Sequence, residues 1–136
     1  MQKEVVPYEE SLALAQIGFV QSCWHAYHDL TFPSKEDKHK LETVHNLTSY
    51  MESCVYQYVN PVLAPTYSQA FRWFREQYQL YAWVKVEYEY GGITPTYYIT
   101  SKRQGDIAGG PFNTHEEAEL ACLRKLIEIV KENKLW

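Results

Sequence analysis

Three kinds of side chain in this 136-residue sequence could do chemistry: three cysteines, five histidines and scattered carboxylates. Cys23, His25 and His28 form C-x-H-x2-H, with His39 and His45 further along. Thiolate and imidazole are ligands that zinc prefers. On a strand, Cys23 and His25 would face one side and His28 the other. No second cysteine lies nearby, and the spacing of a zinc knuckle is missing. The group reads as structural, and neither metal nor cofactor is expected.

A cysteine nucleophile needs a base beside it, and neither Cys54 nor Cys122 stands in a motif that supplies one. Cys122 falls in the apolar arc of a helix and reads as core. His115, at the start of that helix, reads as a surface residue. Asp29, Glu52 and Asp106 lack a spaced partner, so hydrolysis by paired carboxylates has no foothold. Gly105-Asp106-Ile107-Ala108-Gly109-Gly110 precedes a helix but lacks the Lys-Ser/Thr of a phosphate loop and the spacing of a dinucleotide turn. Lys102, Arg103 and Lys85 make at most a small basic patch. No catalytic residue is assigned.

The elements that would hold these residues centre on 65–90, PTYSQAFRWFREQYQLYAWVKVEYEY. Thr66 and Gln69 form a capping box for a helix over 66–78. Ala70, Phe71, Trp73, Phe74 and Tyr78 share one side of it; Arg72, Arg75, Glu76 and Gln79 share the other. A strand follows from Tyr81. Its alternation puts Ala82, Val84, Val86, Tyr88 and Tyr90 on a core face and Trp83, Lys85, Glu87 and Glu89 on a wet one. Residues 91–95 turn the chain, 96–100 return as a strand, and a short third strand is expected near 106–108. Thr114 caps a helix over 114–131, with Glu117 closing the box. Its apolar arc, from Ala118 through Ala121 and Cys122 to Val130, is wider than one sheet face needs, so a second element or a partner chain should meet it.

Upstream, residues 7–17 read as a helix stopped by Gly18, with Phe19 making the contact after the cap. Residues 23–28 read as a strand extending the sheet. KEDKHK at 35–40 reads as exposed loop. From Leu41 the spacing is irregular or helical, leading to a strand at 54–59 that Asn60-Pro61 should end.

Composition sets the bounds. A hydrophobic content of 46% with six Gly and six Pro describes a folded globular chain. It is most simply one domain over 1–136, with 66–132 the best organised part. The net charge of -4 is uneven: residues 1–60 carry four basic and eight acidic side chains, and 61–136 carry nine of each. Long-range attraction to nucleic acid or anionic membrane is therefore not indicated. An odd number of widely spaced cysteines fits a reducing compartment, and no signal or membrane-spanning run is seen, so a cytoplasmic location is expected.

Two resemblances attach to these motifs. PTYSQAFRWFREQY at 65–78 and THEEAELACLRKLIEIVK at 114–131, with VPYEESLALAQIGF at 6–19 more loosely, resemble small uncharacterised proteins of Bacteroides-type gut bacteria and their prophages or mobile elements. That resemblance implies no activity and carries no catalytic residue over. From Thr66 the order helix, strand, strand, strand, helix is similar to a double-stranded RNA-binding domain, including the run Glu117-Ala118-Glu119-Leu120-Ala121-Cys122. In that family lysines at the start of the last helix meet phosphates. Here His115, Glu116 and Glu117 stand there, and carboxylates would repel the backbone.

The fold expected is α+β, an antiparallel sheet with helices on one face. The function expected is a non-enzymatic accessory or protein-interaction module, phage- or mobile-element-related, partnered by itself as a homodimer or by another protein. Its surface would comprise Trp83, Lys85, Glu87 and Trp24, because Tyr and Trp offer large contact area with a polar handle. The alternatives are single-stranded nucleic-acid binding through exposed sheet aromatics, and a small enzyme with an unrecognised site.

Overall fold

The computed structural model describes residues 4–21, 25–30, 39–43, 58–89, 91–103 and 105–133. The chain forms two compact units, Met1–Thr66 and Tyr67–Trp136. Both are antiparallel α+β.

In the first unit, helix α1 spans Tyr8–Gln16, and strands β1 (His25–Leu30), β2 (His39–Thr43) and β3 (Tyr58–Ala64) pair in the order β2-β1-β3. Pro7 precedes α1, Glu9 and Glu10 occupy its first turn, and Gly18 stops it at φ 100°. The Phe19 amide reaches the Leu14 carbonyl at 3.0 Å and the Gly18 amide reaches Ala15 at 3.1 Å, the paired bonds of a Schellman stop. Phe19 is then buried. The Val6 carbonyl accepts from Ser11 Oγ at 3.1 Å and Tyr27 Oη at 2.9 Å, tying the N-terminal segment to α1 and β1. Tyr8 meets the Tyr27 ring edge-on, with centroids 5.6 Å apart.

Three expectations for this half need correction. The 23–28 strand does not extend the later sheet; its described part, β1, belongs to a separate three-stranded one. His39 and Lys40 are not loop, and Leu41 is not helical, because all three lie in β2. Asn60-Pro61 does not end a strand, since β3 runs through both to Ala64. The register between β1 and β3 slips there, from Tyr27↔Val62 to Asp29↔Val59, leaving Asn60 and Pro61 in a bulge on the sheet's edge. A bulge on an edge strand is where a residue without an N–H can sit. The lead-in at 44–57 lies outside the described residues.

The second unit follows the expected order: α2 (Tyr67–Tyr78), β4 (Tyr81–Glu89), β5 (Gly92–Ser101), β6 (Gly105–Gly109) and α3 (His115–Glu132). Tyr67, Ala70, Trp73 and Phe74 are the buried residues of α2. Gln79 takes a left-handed φ of 55°, and the amides of Gln79 and Leu80 close on the Arg75 and Phe74 carbonyls. This tight link turns α2 directly back along β4. The strands pair β4-β5-β6 without a register shift. Thr114 Oγ1 caps α3 by accepting the Glu117 amide at 3.1 Å, and the Glu117 carboxylate accepts from the Asn113 amide at 3.3 Å. The wide arc of α3 is accounted for within the unit, because α3 packs on all three strands and on α2. Ala118, Cys122, Leu123, Leu126 and Val130 are fully enclosed there.

Candidate interaction surface

The β4–β5 register decides which side chains share a face. Ala82 stands opposite Ile99, Val84 opposite Tyr97, Val86 opposite Pro95 and Tyr88 opposite Ile93. On the other face Trp83 stands opposite Tyr98, Lys85 opposite Thr96 and Glu87 opposite Thr94.

This second face carries three of the four residues expected to form an interaction surface. Trp83 is 46% exposed and stacks on Tyr98, with centroids 5.6 Å apart and planes 18° from parallel. Cross-strand aromatic pairing of this kind stabilises the hairpin, so the exposure of Trp83 has a structural account. Lys85 Nζ lies 3.0 Å from Glu87 Oε1, and that hydrogen bond holds the Lys85 ammonium above its usual pKa. Trp24 lies outside the described residues.

The core face departs from expectation. Ile99 is buried and Ala82 and Val84 are half-buried, but Val86 is 44% and Tyr88 83% exposed. Ile93, opposite Tyr88, is 56% exposed. The assignment of Val86 and Tyr88 to the core is therefore wrong, and length explains why. A twelve-residue helix spans about 18 Å. A nine-residue strand spans about 30 Å. Because α2 turns back along β4 from Leu80, its own cover ends near Lys85, and α3, which also packs on β4, leaves Val86 and Tyr88 exposed. The alternation continues past Lys85, and the hairpin overhangs.

No group of three or more His, Cys, Asp or Glu side chains able to hold a metal occurs among the described residues. His25 is half-buried in β1, whereas Cys23, His45, Glu52 and Cys54 lie outside the described residues and His28, Asp29 and His39 are placed only as backbone. Asp106 accepts a hydrogen bond from the Thr100 hydroxyl across the β5–β6 pair. His115 lies 3.1 Å from Glu119 along one turn of α3, which gives Glu119 its reach to the helix start. A cleft of about 690 Å³ at the end of α2 gathers Glu76, Lys102, Arg103 and Asn133 but, among the described residues, no cysteine or histidine. The glycine-rich segment is strand β6 followed by Gly110-Pro111, a plain connection into α3.

Cys122 is enclosed, and burial pushes its thiol up to about 12, with Glu119 adding to the effect. The thiol stays protonated in the folded chain well above the pH, about 9, at which it ionises when unfolded. Its contribution to stability is complete below about pH 9 and is lost as pH rises towards about 12, at about 1.4 kcal/mol per pH unit. Burial also raises Tyr27, Tyr78 and Tyr97, with the same sign. Urea titrations from pH 8 to 11 should therefore show the native chain losing stability faster than Cys122→Ala. Equal slopes would contradict the assignment.

Compared with known proteins, the chain matches no family model, no curated protein and no solved structure. Among the described residues no helix is long and apolar enough to cross a membrane.

Proposed function

We propose that this chain is a protein-interaction module whose docking element is the β4–β5 hairpin. One observation carries the reading. Of the six exposed large apolar side chains among the described residues, five lie on this hairpin: Tyr81, Trp83, Val86, Tyr88 and Ile93. Apolar surface gathered on one projecting element, rather than scattered, is what an association site presents. Lys85 and Glu87 give it a polar, charge-paired flank.

Stacking on single-stranded bases is a poorer fit. Trp83 and Tyr98 already cover one face of each other, and Glu87 stands four residues along the same face of β4. The exposed Glu116 and Glu117 likewise argue against a phosphate contact at the start of α3. An accessory role in a prophage or mobile element accords with the motifs at 65–78 and 114–131.

The test is site-specific photo-crosslinking in cells, with benzoylphenylalanine in place of Tyr88. An adduct of one defined mass is expected, weakened by Ile93→Asp and absent when the probe replaces Arg72 on the outer side of α2. No adduct at Tyr88 above the Arg72 background would overturn the reading.

A further inference from the structure

The hairpin's long outer edge points to a particular partner. In the order β4-β5-β6, β4 is an edge strand with no ladder partner on its far side among the described residues. It is nine residues long, unbroken by a bulge and free of proline, whereas the opposite edge, β6, has five residues and a glycine at each end. Such an edge is a template for another strand unless something blocks it.

The direction of its hydrogen-bonding groups follows from Pro95. The Pro95 carbonyl accepts from the Phe112 amide at 2.9 Å, so it points away from β4. Pro95 faces Val86, which makes that pair non-hydrogen-bonded in the β4–β5 ladder. Alternation then turns the N–H and C=O of Ala82, Val84, Val86 and Tyr88 outward to the free edge. Their side chains share the core face, and Val86 and Tyr88 are the two that overhang.

We infer that β4 pairs antiparallel with β4 of a second copy of this chain, about a two-fold axis through Val86. The inference rests on the interaction-module reading and names its partner. An isologous contact must be complementary to itself, and this register is. Centred on Val86, it sets Lys85 opposite Glu87 of the other copy, twice, in non-hydrogen-bonded pairs where side chains come closest. Val86 meets its own counterpart, and each Tyr88 meets the other copy's Val84. Centring on Lys85 or on Glu87 would put like charges on the axis. Centring on Val84 would set Lys85 opposite Trp83. The Val86 register therefore gives the exposed Val86 and Tyr88 side chains apolar neighbours and repels no charge. Joined this way, two three-stranded sheets become one of six.

Sedimentation over a range of concentrations tests this on the purified full chain. The native chain should show a monomer–dimer equilibrium. Val86→Pro removes an N–H that β5 does not use, so it should give a monomer with an unchanged far-ultraviolet spectrum and the melting temperature of the native chain diluted to monomer. Lys85→Glu should weaken the dimer on the order of tenfold, because both facing pairs become repulsive. Lys85→Glu combined with Glu87→Lys should restore it. A native chain that stays monomeric at ~1 mM, or a dimer indifferent to both Val86→Pro and Lys85→Glu, would overturn the pairing. Photo-crosslinking at Tyr88 separates the two failures. An adduct with a different protein would overturn self-pairing and leave the module reading standing, whereas no adduct at all removes both.

Discussion

Phe74→Ala is expected to cost about 3–5 kcal/mol of stability, the range for truncating a fully enclosed aromatic ring. Phe74 has no exposed surface. Trp73 meets its ring edge-on at 5.1 Å and Tyr78 lies at 6.1 Å. The Phe74 carbonyl also receives the Leu80 amide at 3.3 Å, so the residue sits where α2 turns into β4. Collapse around the missing ring is opposed on both sides by aromatics already in contact with each other. A domain stable by roughly 5–15 kcal/mol would lose a large part of its margin. Urea denaturation should show a lower midpoint with an unchanged slope. Phe74→Leu, which keeps most of the volume, should cost less than half as much. A loss below about 1 kcal/mol for the alanine variant would mean the ring is not a packing centre.

Gly109→Val is expected to cost about 2–3 kcal/mol, for the opposite reason: too much volume. Gly109 faces Tyr97 across the β5–β6 ladder, and a Cβ built there overlaps the Tyr97 ring. The far end of the ring lies against the glycine, and the ring stacks on Phe112, with centroids 5.9 Å apart and planes 22° from parallel. Aromatic cover of a strand glycine is a recognised way to stabilise a sheet. A valine must push Tyr97 away, which also breaks its contact with Phe112. A double-mutant cycle with Tyr97→Ala checks this, because once the ring is gone the valine should cost little. Additive effects would contradict the clash. Ala108→Ser, at the exposed neighbour of Gly109, should change stability by no more than about 0.5 kcal/mol.

The sequence carried the second unit much further than the first. Thr114 with Glu117, and the 3.6-residue spacing from Ala118 to Val130, were enough to place α3 because a cap and an apolar stripe are local signals. The alternation from Ala82 to Tyr88 fixed the two faces of β4. It could not say how far each face is covered, because cover depends on how far α2 and α3 both reach along the strand. In the first unit the signals conflict. His39, Lys40 and Leu41 have little strand composition and are held in β2 by pairing with β1, which no local pattern announces. Pro61 looks like a strand terminator unless the bulge and the edge position are known. Of the candidate surface, Trp83, Lys85 and Glu87 were legible from phase alone. Val86, Tyr88 and Ile93 were hidden because their types and spacing are those of core residues.

That Pro61 bulge also limits how copies can accumulate. An open fibre needs two long adhesive edges per chain, so that each added molecule offers a fresh one. In β3 the bulge and the proline interrupt the edge, β2 and β6 are five residues long, and among the described residues only β4 presents an edge of nine in regular register. A two-fold contact along β4 consumes that edge on both molecules at once. With the proposed pairing, growth would stop at two, and raising the concentration should fill a dimer rather than seed an aggregate.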